Sequence, residues 1–445
     1  MKITLLGLTN RVISSLAIKF IILSFLSGCI ANIGYAQDPT ASPVAEIAAP
    51  APLLSKGHPV DWWFVFKFNA KSFPGCGQNV ERVCAFGGEK QKYDRGGFGQ
   101  QFIYASSESP SLKKGDGCVG ETITDPLGAT YEQVYDNDDY FYVVWNDQFY
   151  QDPKIVGCGD ACSSPWGHSK GMLAWNKAGE GFVMQVTTPS WPASGSYRFP
   201  RKIDGNTLGC VIDNDVKVSQ HFFSLKLTKN DLIEVLNALQ NASIVTDPTN
   251  SQIVKNGGPD DVQQLVNSLG LRSKSSDMKK STLSTGIEVI SKPSNLNVPP
   301  WQLISATLNG VPLKAATWWA NPQIPSTDMT TPISCWKDGL GTPGGVQIAT
   351  SGQWDNQQFG LTGGGGPDHN HAKIGVSIDP SKSYSIFGDM NQQGALSDSS
   401  SQKCSSSQNG RGGLFYIIKD KMLFDGLTGL LKGNTAPIYD VVSPN

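Results

Sequence analysis

The sequence predicts a mixed α/β fold in which two halves of one chain are each centred on a β-sheet. The 445 residues include 48 glycines and 27 prolines, which indicates many turns and a β-rich protein rather than a helical bundle. Runs of aromatic and β-branched residues recur along the chain, as buried strands would. A His-Xaa-Lys motif also occurs once in each half, directly before an apolar run.

The first 36 residues carry the pattern of a secretory signal. Early basic residues precede the apolar run 20–26, which is too short to span a bilayer. Two processing outcomes are open. Residues 26–29 resemble a bacterial lipoprotein signal, in which a lipidated Cys29 would anchor the protein to a membrane, whereas residues 34–36 resemble an ordinary cleavage site. We therefore expect an exported protein, either periplasmic, an outer-membrane lipoprotein or extracellular.

Composition divides the rest of the chain into four segments. Residues 37–56 are rich in alanine and proline and are expected to form a disordered linker. The first half is then expected over 57–240, followed by a polar connection over 241–300. The second half occupies 301–445. The chain is long enough for each half to bury a substantial core.

Cysteine usage agrees with export. Loss or lipidation of Cys29 leaves eight of the nine cysteines, and an even number in an exported chain indicates disulfides. Cys158 and Cys162 have the spacing of a metal-binding pair, but no second pair and no histidine cluster completes a zinc site. Structural bridges and no bound metal are therefore expected. Their pairing is left open by the sequence among Cys76, Cys84, Cys118, Cys158, Cys162, Cys210, Cys335 and Cys404.

Strands and helices can be placed along the chain in order. The turn residues 177–181 are expected to join two strands into a hairpin. A helix is predicted over 230–239, where apolar residues follow helical spacing and Thr228 with Asp231 forms a capping pattern. A short helix is expected over 262–269. Apolar runs predict strands at 59–68, 101–104, 140–145, 171–175, 182–186 and 374–378.

The two His-Xaa-Lys motifs are the main candidate site. The pairs are His168 with Lys170 and His371 with Lys373, in a chain of only five histidines. Residues i and i+2 of a strand point to the same side, so each histidine shares a face with its lysine. Two such strands side by side would present two imidazoles and two ammonium groups, which suits phosphate. The residues alone leave a second interpretation open, in which each histidine is a hydrogen-bonded strand end and each lysine is solvated.

Other site types are disfavoured by the sequence. Gly363 to Gly366 lacks the Lys-Ser/Thr of a phosphate-binding loop, and no Gly-Xaa-Ser-Xaa-Gly motif marks a serine hydrolase. The remaining histidines lack a paired lysine: His58 is expected at the surface, His221 in packing, and His369 as a neighbour without a role. A formal net charge of −2 means that a polyanionic substrate would be held by a local cluster rather than by the whole surface.

Five segments together carry a resemblance to a known family. As a set and in this order, they resemble the deoxyribonuclease II family, and the resemblance extends over almost all of the chain from about residue 57 onward. The segments are 59–67, Gly-His168-Ser-Lys170-Gly, His371-Ala-Lys373, Gly388-Asp-Met-Asn391 and Arg411-Gly-Gly413.

The resemblance implies an acid endonuclease with a phospholipase D-like architecture, a pseudo-dimer of two sheet-centred halves in one chain. It implies that one histidine attacks the phosphorus to form a phosphohistidine while the other protonates the leaving oxygen. Lys170 and Lys373 would hold the non-bridging oxygens. The implied substrate is DNA, cleaved to 3′-phosphate ends without a divalent cation or other cofactor. Which histidine is the nucleophile stays open at this point, with a preference for His168.

Three further residues are candidates for substrate binding on the same resemblance. Asn391 and Asp389 lie in the Gly-Asp-Met-Asn segment, and Arg411 opens the Arg-Gly-Gly segment. Asn391 is expected to donate hydrogen bonds to the phosphate. Two rival functions are carried forward: a phospholipase D-like phosphodiesterase acting on lipid headgroups, which a lipidated Cys29 would favour, and a secreted binding module without catalytic activity.

Overall fold

The computed structural model describes residues 48–75, 99–120, 123–135, 137–149, 151, 154–189 and 217–439. All of these belong to one unit, Ile47–Asn445. The predicted secretory signal with Cys29 lies outside the described residues, as do Cys76, Cys84 and Cys210. No helix within the described ranges is both long enough and apolar enough to cross a membrane.

The first large sheet is antiparallel and has the strand order β10-β6-β7-β8-β9-β3-β4-β5 among the described residues. A short hairpin precedes it, made of β1 (Leu53–Ser55) and β2 (His58–Pro59). The hairpin predicted at 177–181 joins β7 to β8, and Gly179 there has φ +86°, which glycine adopts without strain. The strands of the sheet are β3 (Trp62–Lys67), β4 (Phe102–Ser106), β5 (Lys113–Lys114), β6 (Phe141–Asn146), β7 (Lys170–Trp175), β8 (Gly181–Val186), β9 (Gln220–Leu227) and β10 (Val254–Lys255).

The second large sheet has the order β11-β12-β19-β18-β17-β13-β14, and only the β13–β14 pair is parallel. Strands β15 and β16 form a separate hairpin. The strands are β11 (Lys279–Thr282), β12 (Glu288–Lys292), β13 (Leu313–Ala316), β14 (Val346–Ile348), β15 (Ser351–Trp354), β16 (Gln357–Gly360), β17 (Ile374–Ser377), β18 (Ser385–Gly388) and β19 (Gly413–Ile418).

The described residues also form five α-helices, so the predicted mixed α/β class is confirmed. The helix predicted at 230–239 is α2, and its capping pattern is present as a capping box between Thr228 and Asp231. The short helix expected at 262–269 is α3. The helices are α1 (Pro126–Tyr135), α2 (Lys229–Asn241), α3 (Asp260–Asn267), α4 (Pro300–Thr307) and α5 (Lys421–Leu430).

The structure differs from the expected organisation at two segments. The end of the expected linker is packed, because Ala51 and Leu53 are buried and β1 begins at Leu53. The stretch 241–300 also contributes β10 to the first sheet and β11 and β12 to the second. The polar strand β11 is mostly exposed, whereas all five residues of β12 are buried.

The two large sheets repeat one arrangement of strands. The order β6-β7-β8-β9-β3 in the first sheet recurs as β13-β17-β18-β19-β12 in the second. A helix precedes β6 and another precedes β13, and a helix follows β9 and another follows β19. Each His-Xaa-Lys motif therefore leads into the corresponding strand of its own sheet, β7 in the first and β17 in the second.

A buried lysine ends the first strand of each repeat. Lys67 ends β3, and its ammonium group donates to the carbonyls of Phe68, Gly99 and Val218 at 3.3, 2.8 and 2.5 Å. Lys292 ends β12, and its ammonium group donates in the same way to Pro293, Asn409 and Arg411 at 3.4, 2.7 and 2.9 Å. The two halves therefore repeat a side-chain contact as well as a strand order.

The sheets share a core in which aromatic rings meet. The ring of Phe387 in β18 stacks on Phe64 in β3 at 4.5 Å between centroids, and on Phe223 in β9 at 4.8 Å. All three side chains are completely buried. Such offset stacks add about 0.5–1.5 kcal/mol each to the apolar burial itself. This contact fixes how the two sheets face one another.

Disulfides join cysteines within the described residues, as expected. Cys158 is bonded to Cys162, and Cys335 is bonded to Cys404. Cys118 is disulfide-bonded as well. The metal-pair interpretation of Cys158 and Cys162 is therefore excluded by the bond between them.

We predict that Phe387→Ala lowers the free energy of unfolding by about 3–5 kcal/mol, because it removes both stacks and leaves a cavity between the sheets. Equilibrium denaturant unfolding measures the loss. Met422→Ala is the control, since Met422 is 54% exposed on α5 and its truncation should change stability by no more than about 0.5 kcal/mol. Equal effects of the two substitutions would contradict the shared core.

Candidate active site

The first His-Xaa-Lys motif is held against the second half of the chain by backbone contacts. The His168 amide donates to the carbonyl of Gly412, just before β19, at 2.8 Å. The His168 Nδ1 atom lies 2.7 Å from the carbonyl oxygen of Asp389. Because a carbonyl only accepts, Nδ1 carries the proton, and the lone pair of neutral His168 is on Nε2. His168 lines a cavity of about 360 Å³.

Lys170 is buried beside a carboxylate that the sequence did not single out. Its Nζ atom lies 2.5 Å from Oδ1 of Asp147, whose Oδ2 accepts from Arg411 Nη2 at 2.7 Å. Burial alone would raise the pKa of Asp147, but the charges of Lys170 and Arg411 hold it well below its ordinary range. One carboxylate therefore fixes two cations from opposite halves of the chain.

The second motif lies at the start of β17. His371 Nε2 is 3.2 Å from the carbonyl of Gly364, so it carries a proton, and the Lys373 ammonium donates to the carbonyl of His371 at 2.5 Å. The ring of Trp318 meets the His371 ring edge-on at 5.9 Å between centroids. Trp318 also lines the cavity that His168 borders.

The charges of the two motifs act on each other. Burial lowers the pKa of His168 well below its ordinary value, and the charges of Lys170 and Lys373 lower it further. Burial likewise lowers the pKa of His371, and Lys373 and Lys170 add to that effect. Each histidine thus responds to the lysine of the other motif, and the four side chains form one electrostatic unit.

The three candidates for substrate binding occupy different places. Asn391 and Arg411 line the cavity with His168. The Asp389 carboxyl is only 4% exposed and faces the protein interior, where it accepts from the Leu414 amide at 3.0 Å. Burial raises the pKa of Asp389 to about 7. A contact of Asp389 with substrate stays a prediction, whereas its contacts within the protein are those of a positioning residue.

Comparison with known proteins identifies the family of the chain. A sequence profile of the deoxyribonuclease II family matches residues 52–430, which include both His-Xaa-Lys motifs and the cavity residues. The chain belongs to the deoxyribonuclease II family.

Individual relatives in this family are distant and match in part. The deoxyribonuclease-2-alpha of Sus scrofa is 30% identical over 161 residues, which is 35% of this chain and 37% of the pig protein. That of Rattus norvegicus is 29% identical over 178 residues, or 38% and 44% of the two chains. The deoxyribonuclease-2-beta of Homo sapiens is 28% identical over 109 residues, or 23% and 28%. The chain thus spans less than half of the length of each of these relatives.

A buried hydrogen-bond chain links the two motifs of this deoxyribonuclease II family member. The Lys373 amide donates to His221 Nδ1 at 3.1 Å, so His221 Nε2 carries the proton and donates to Gln185 Oε1 at 3.2 Å. Gln185 Nε2 then donates to Asp389 Oδ1 at 3.0 Å. Ser169, the middle residue of the first motif, bonds the same carboxyl. Each donor and acceptor has one compatible orientation. This series of hydrogen bonds therefore fixes the position of one motif relative to the other.

The other histidines have structural contacts. His58 is exposed and pairs with Glu108 at 2.9 Å, and His369 Nδ1 accepts from the Gly366 amide at 2.8 Å. His221, expected in packing, is fully buried in the hydrogen-bond chain described above. In the part of the chain that the structure describes, no three His, Cys, Asp or Glu side chains converge as metal ligands would.

We predict that Asp147→Asn costs about 3–5 kcal/mol of unfolding free energy, because it leaves buried Lys170 and partly buried Arg411 without their counter-charge. The pKa of Asp147 is lower in the folded than in the unfolded chain. Its stabilisation is therefore complete above the ordinary carboxyl pKa of about 3.9 and is lost as the pH falls through the folded-state value. Denaturant unfolding should show a full difference between wild type and variant at about pH 6 and a smaller one near about pH 3.

Asp368→Asn is the matched control for this prediction. Asp368 pairs with Lys71 at 2.8 Å, but both side chains are exposed, so its loss should cost at most about 1 kcal/mol. A cost of Asp147→Asn no larger than that of the control would contradict the role assigned to Asp147.

Proposed function

We propose that this protein is an acid endodeoxyribonuclease that hydrolyses DNA phosphodiesters through a phosphohistidine and leaves 3′-phosphate ends. The observation that carries the proposal is that the two His-Lys pairs, from separate halves of the chain, act on each other electrostatically, while His168 borders a cavity that is also lined by Trp318, whose ring contacts His371. Membership of the deoxyribonuclease II family supports the same reaction class and DNA as the substrate.

In the first step His168 is the nucleophile. Its Nδ1 proton is held by the Asp389 carbonyl, so the Nε2 lone pair is available to the cavity. Nε2 attacks the phosphorus, an N–P bond forms, and the bond from phosphorus to the 5′ oxygen breaks. The electron pair leaves with that oxygen. Fixing the tautomer through a backbone carbonyl keeps the nucleophilic nitrogen ready without a separate base.

His371 is the general acid of the first step. Its Nε2–H group donates a hydrogen bond to the Gly364 carbonyl. At acid pH Nδ1 also binds a proton, and the Nε2 proton passes to the leaving 5′ oxygen. Neutral His371 then accepts a proton from water as the water oxygen attacks phosphorus, and the N–P bond breaks with its electrons returning to His168. The products are a 3′-phosphate and a 5′-hydroxyl.

Lysine and arginine charges take the electrostatic role in this proposal. Lys170 and Lys373 stand beside the two histidines, and Arg411 lines the cavity with Asp147 between it and Lys170. Asp147 holds Lys170 and Arg411 in place, and we propose that the phosphodiester anion binds against these cations. Fixed cations of this kind stabilise the anionic transition state, so we propose that the reaction needs no divalent metal.

The proposed architecture is a phospholipase D-like pseudo-dimer within one chain. Its support is the repeated strand order of the two sheets and the repeated buried lysines, Lys67 and Lys292. We also propose that the protein is exported, either to the periplasm, to the outer membrane through a lipidated Cys29, or out of the cell. The disulfides support export, since such bonds persist in oxidising compartments.

We predict that the purified protein cleaves plasmid DNA at mildly acid pH in the presence of EDTA. His168→Ala and His371→Ala should each lower the rate by at least about 10²-fold, because each removes a reacting group. Gel conversion of supercoiled plasmid measures the rate. His58→Ala is the matched control, since His58 is exposed and its ring pairs with the exposed Glu108.

Two results would overturn the proposal. Intact plasmid with the wild-type protein would exclude the nuclease, and release of a headgroup from phospholipid vesicles in the same buffer would favour the lipid phosphodiesterase instead. Full activity of either histidine variant would exclude the assigned site. Inactivity towards both substrates would favour a binding module.

We predict an acidic optimum that depends on the lysines. The pKa of His371 lies below its ordinary value, so the general acid is protonated only at acid pH. Activity should therefore increase as the pH falls. Lys170→Gln removes a positive charge that lowers the pKa of both histidines. It should therefore lower the maximum rate and move the alkaline limb of kcat/KM to higher pH. An unmoved limb would show that another group sets the pH dependence.

A further inference from the structure

The cavity beside His168 is lined by neutral side chains as well as by charged ones. The neutral ones include Trp318, Asn321, Asn391, Gln393 and Gln408. At about 360 Å³ it falls in the range of pockets that hold small organic groups, roughly 300–1,000 Å³. A phosphodiester needs only charged groups of the lining, so the neutral side chains are available to another part of the substrate.

The orientation of Asn391 is fixed by its neighbours. Gln393 Nε2 donates to the carbonyls of Ala320 and Asn321 at 2.8 and 3.1 Å, which leaves Gln393 Oε1 as an acceptor. Asn391 Nδ2 donates to that oxygen at 3.0 Å. Because backbone carbonyls set the first link, neither amide can be turned round without losing these bonds. Asn391 Oδ1 is therefore an acceptor.

That acceptor has no hydrogen-bond partner among the described residues, although Asn391 is only 2% exposed. An unpaired buried acceptor costs about 1–3 kcal/mol, so a ligand that supplies a donor gains affinity there. A phosphodiester at mildly acid pH has oxygen acceptors and no donor. The natural partner of Asn391 Oδ1 is thus an N–H or O–H group adjoining the phosphate, rather than the phosphate itself.

Trp318 supplies a flat apolar surface in the same cavity. It is half-buried, its edge-on contact with His371 places it next to the reacting groups, and its Nε1 donor has no partner among the described residues. Nucleobases stack on indole rings, and each base also presents hydrogen-bond donors and acceptors at its edge. An unpaired acceptor and an unpaired donor beside an aromatic ring match a base better than a second phosphate.

We propose that this cavity is a nucleoside subsite for the nucleotide that flanks the scissile phosphate, with its base stacked on Trp318 and an N–H of its edge donated to Asn391 Oδ1. The inference rests on the proposed nuclease function and names the part of the substrate that the cavity holds. All four DNA bases have an N–H donor at the pairing edge, so the subsite distinguishes a base from its absence rather than one base from another.

The test is a short end-labelled oligonucleotide with one abasic (tetrahydrofuran) residue, compared with the same sequence containing the base. The wild-type protein should cleave one of the two phosphodiesters that flank the abasic residue at least about tenfold more slowly than in the intact oligonucleotide. More distant phosphodiesters serve as internal references. Their cleavage separates the two proposals, because no cleavage anywhere sinks the nuclease itself, whereas equal cleavage beside the abasic residue sinks only the subsite.

Variants assign the effect to the two side chains. Trp318→Leu and Asn391→Leu should each lower the discrimination between intact and abasic sites, whatever they do to the overall rate. Trp318→Phe keeps an aromatic face and should retain more discrimination than Trp318→Leu. Unchanged discrimination in Asn391→Leu, or equal discrimination by the two Trp318 variants, would overturn the contact assigned to that residue.

Discussion

The hydrogen bond from His168 Nδ1 to the Asp389 carbonyl is the contact on which the site depends. It joins a residue of the first half to one of the second, and it determines which nitrogen of the imidazole holds the lone pair. A backbone carbonyl has no titratable proton, so neutral His168 keeps the same tautomer whatever the pH. The Asp389 side chain meanwhile belongs to the hydrogen-bond chain that ends at the Lys373 amide. One residue thereby positions both motifs.

The site concentrates positive charge in a place with little water. Buried cations are costly unless each has a partner, and here the partners include the Asp147 carboxylate and backbone carbonyls. Backbone carbonyls accept hydrogen bonds in the same way from the ammonium groups of Lys67 and Lys292, at the ends of β3 and β12. The result is a cluster of cations held in fixed positions, which suits the binding of an anion.

Local patterns in the sequence predicted the elements, and the pair of motifs predicted two His-Lys pairs that the fold brings close enough to act on each other. The capped helix α2 and the hairpin of β7 and β8 follow from apolar spacing and turn residues alone. Asp147 could not be found this way, because its role arises from the pairing of Asn146 with Lys170 across β6 and β7 and from Arg411, far along the chain. The hydrogen-bond chain through Gln185 and His221 likewise depends on how the two sheets pack. The burial of the Asp389 carboxyl and its contacts with Leu414 and Gln185 could not be predicted either, because they too depend on how the two halves pack.

The separation of the two motifs along the chain has a consequence for folding. His168 and His371 are about 200 residues apart, and the contacts that bring them together are made between sheets rather than within them. Contacts of high sequence separation form late, since loop closure comes before any gain from them. The chain therefore has no assembled site until both sheets are complete and packed. The order of the strands along the chain thus keeps the two motifs apart while the chain is still growing or only partly folded.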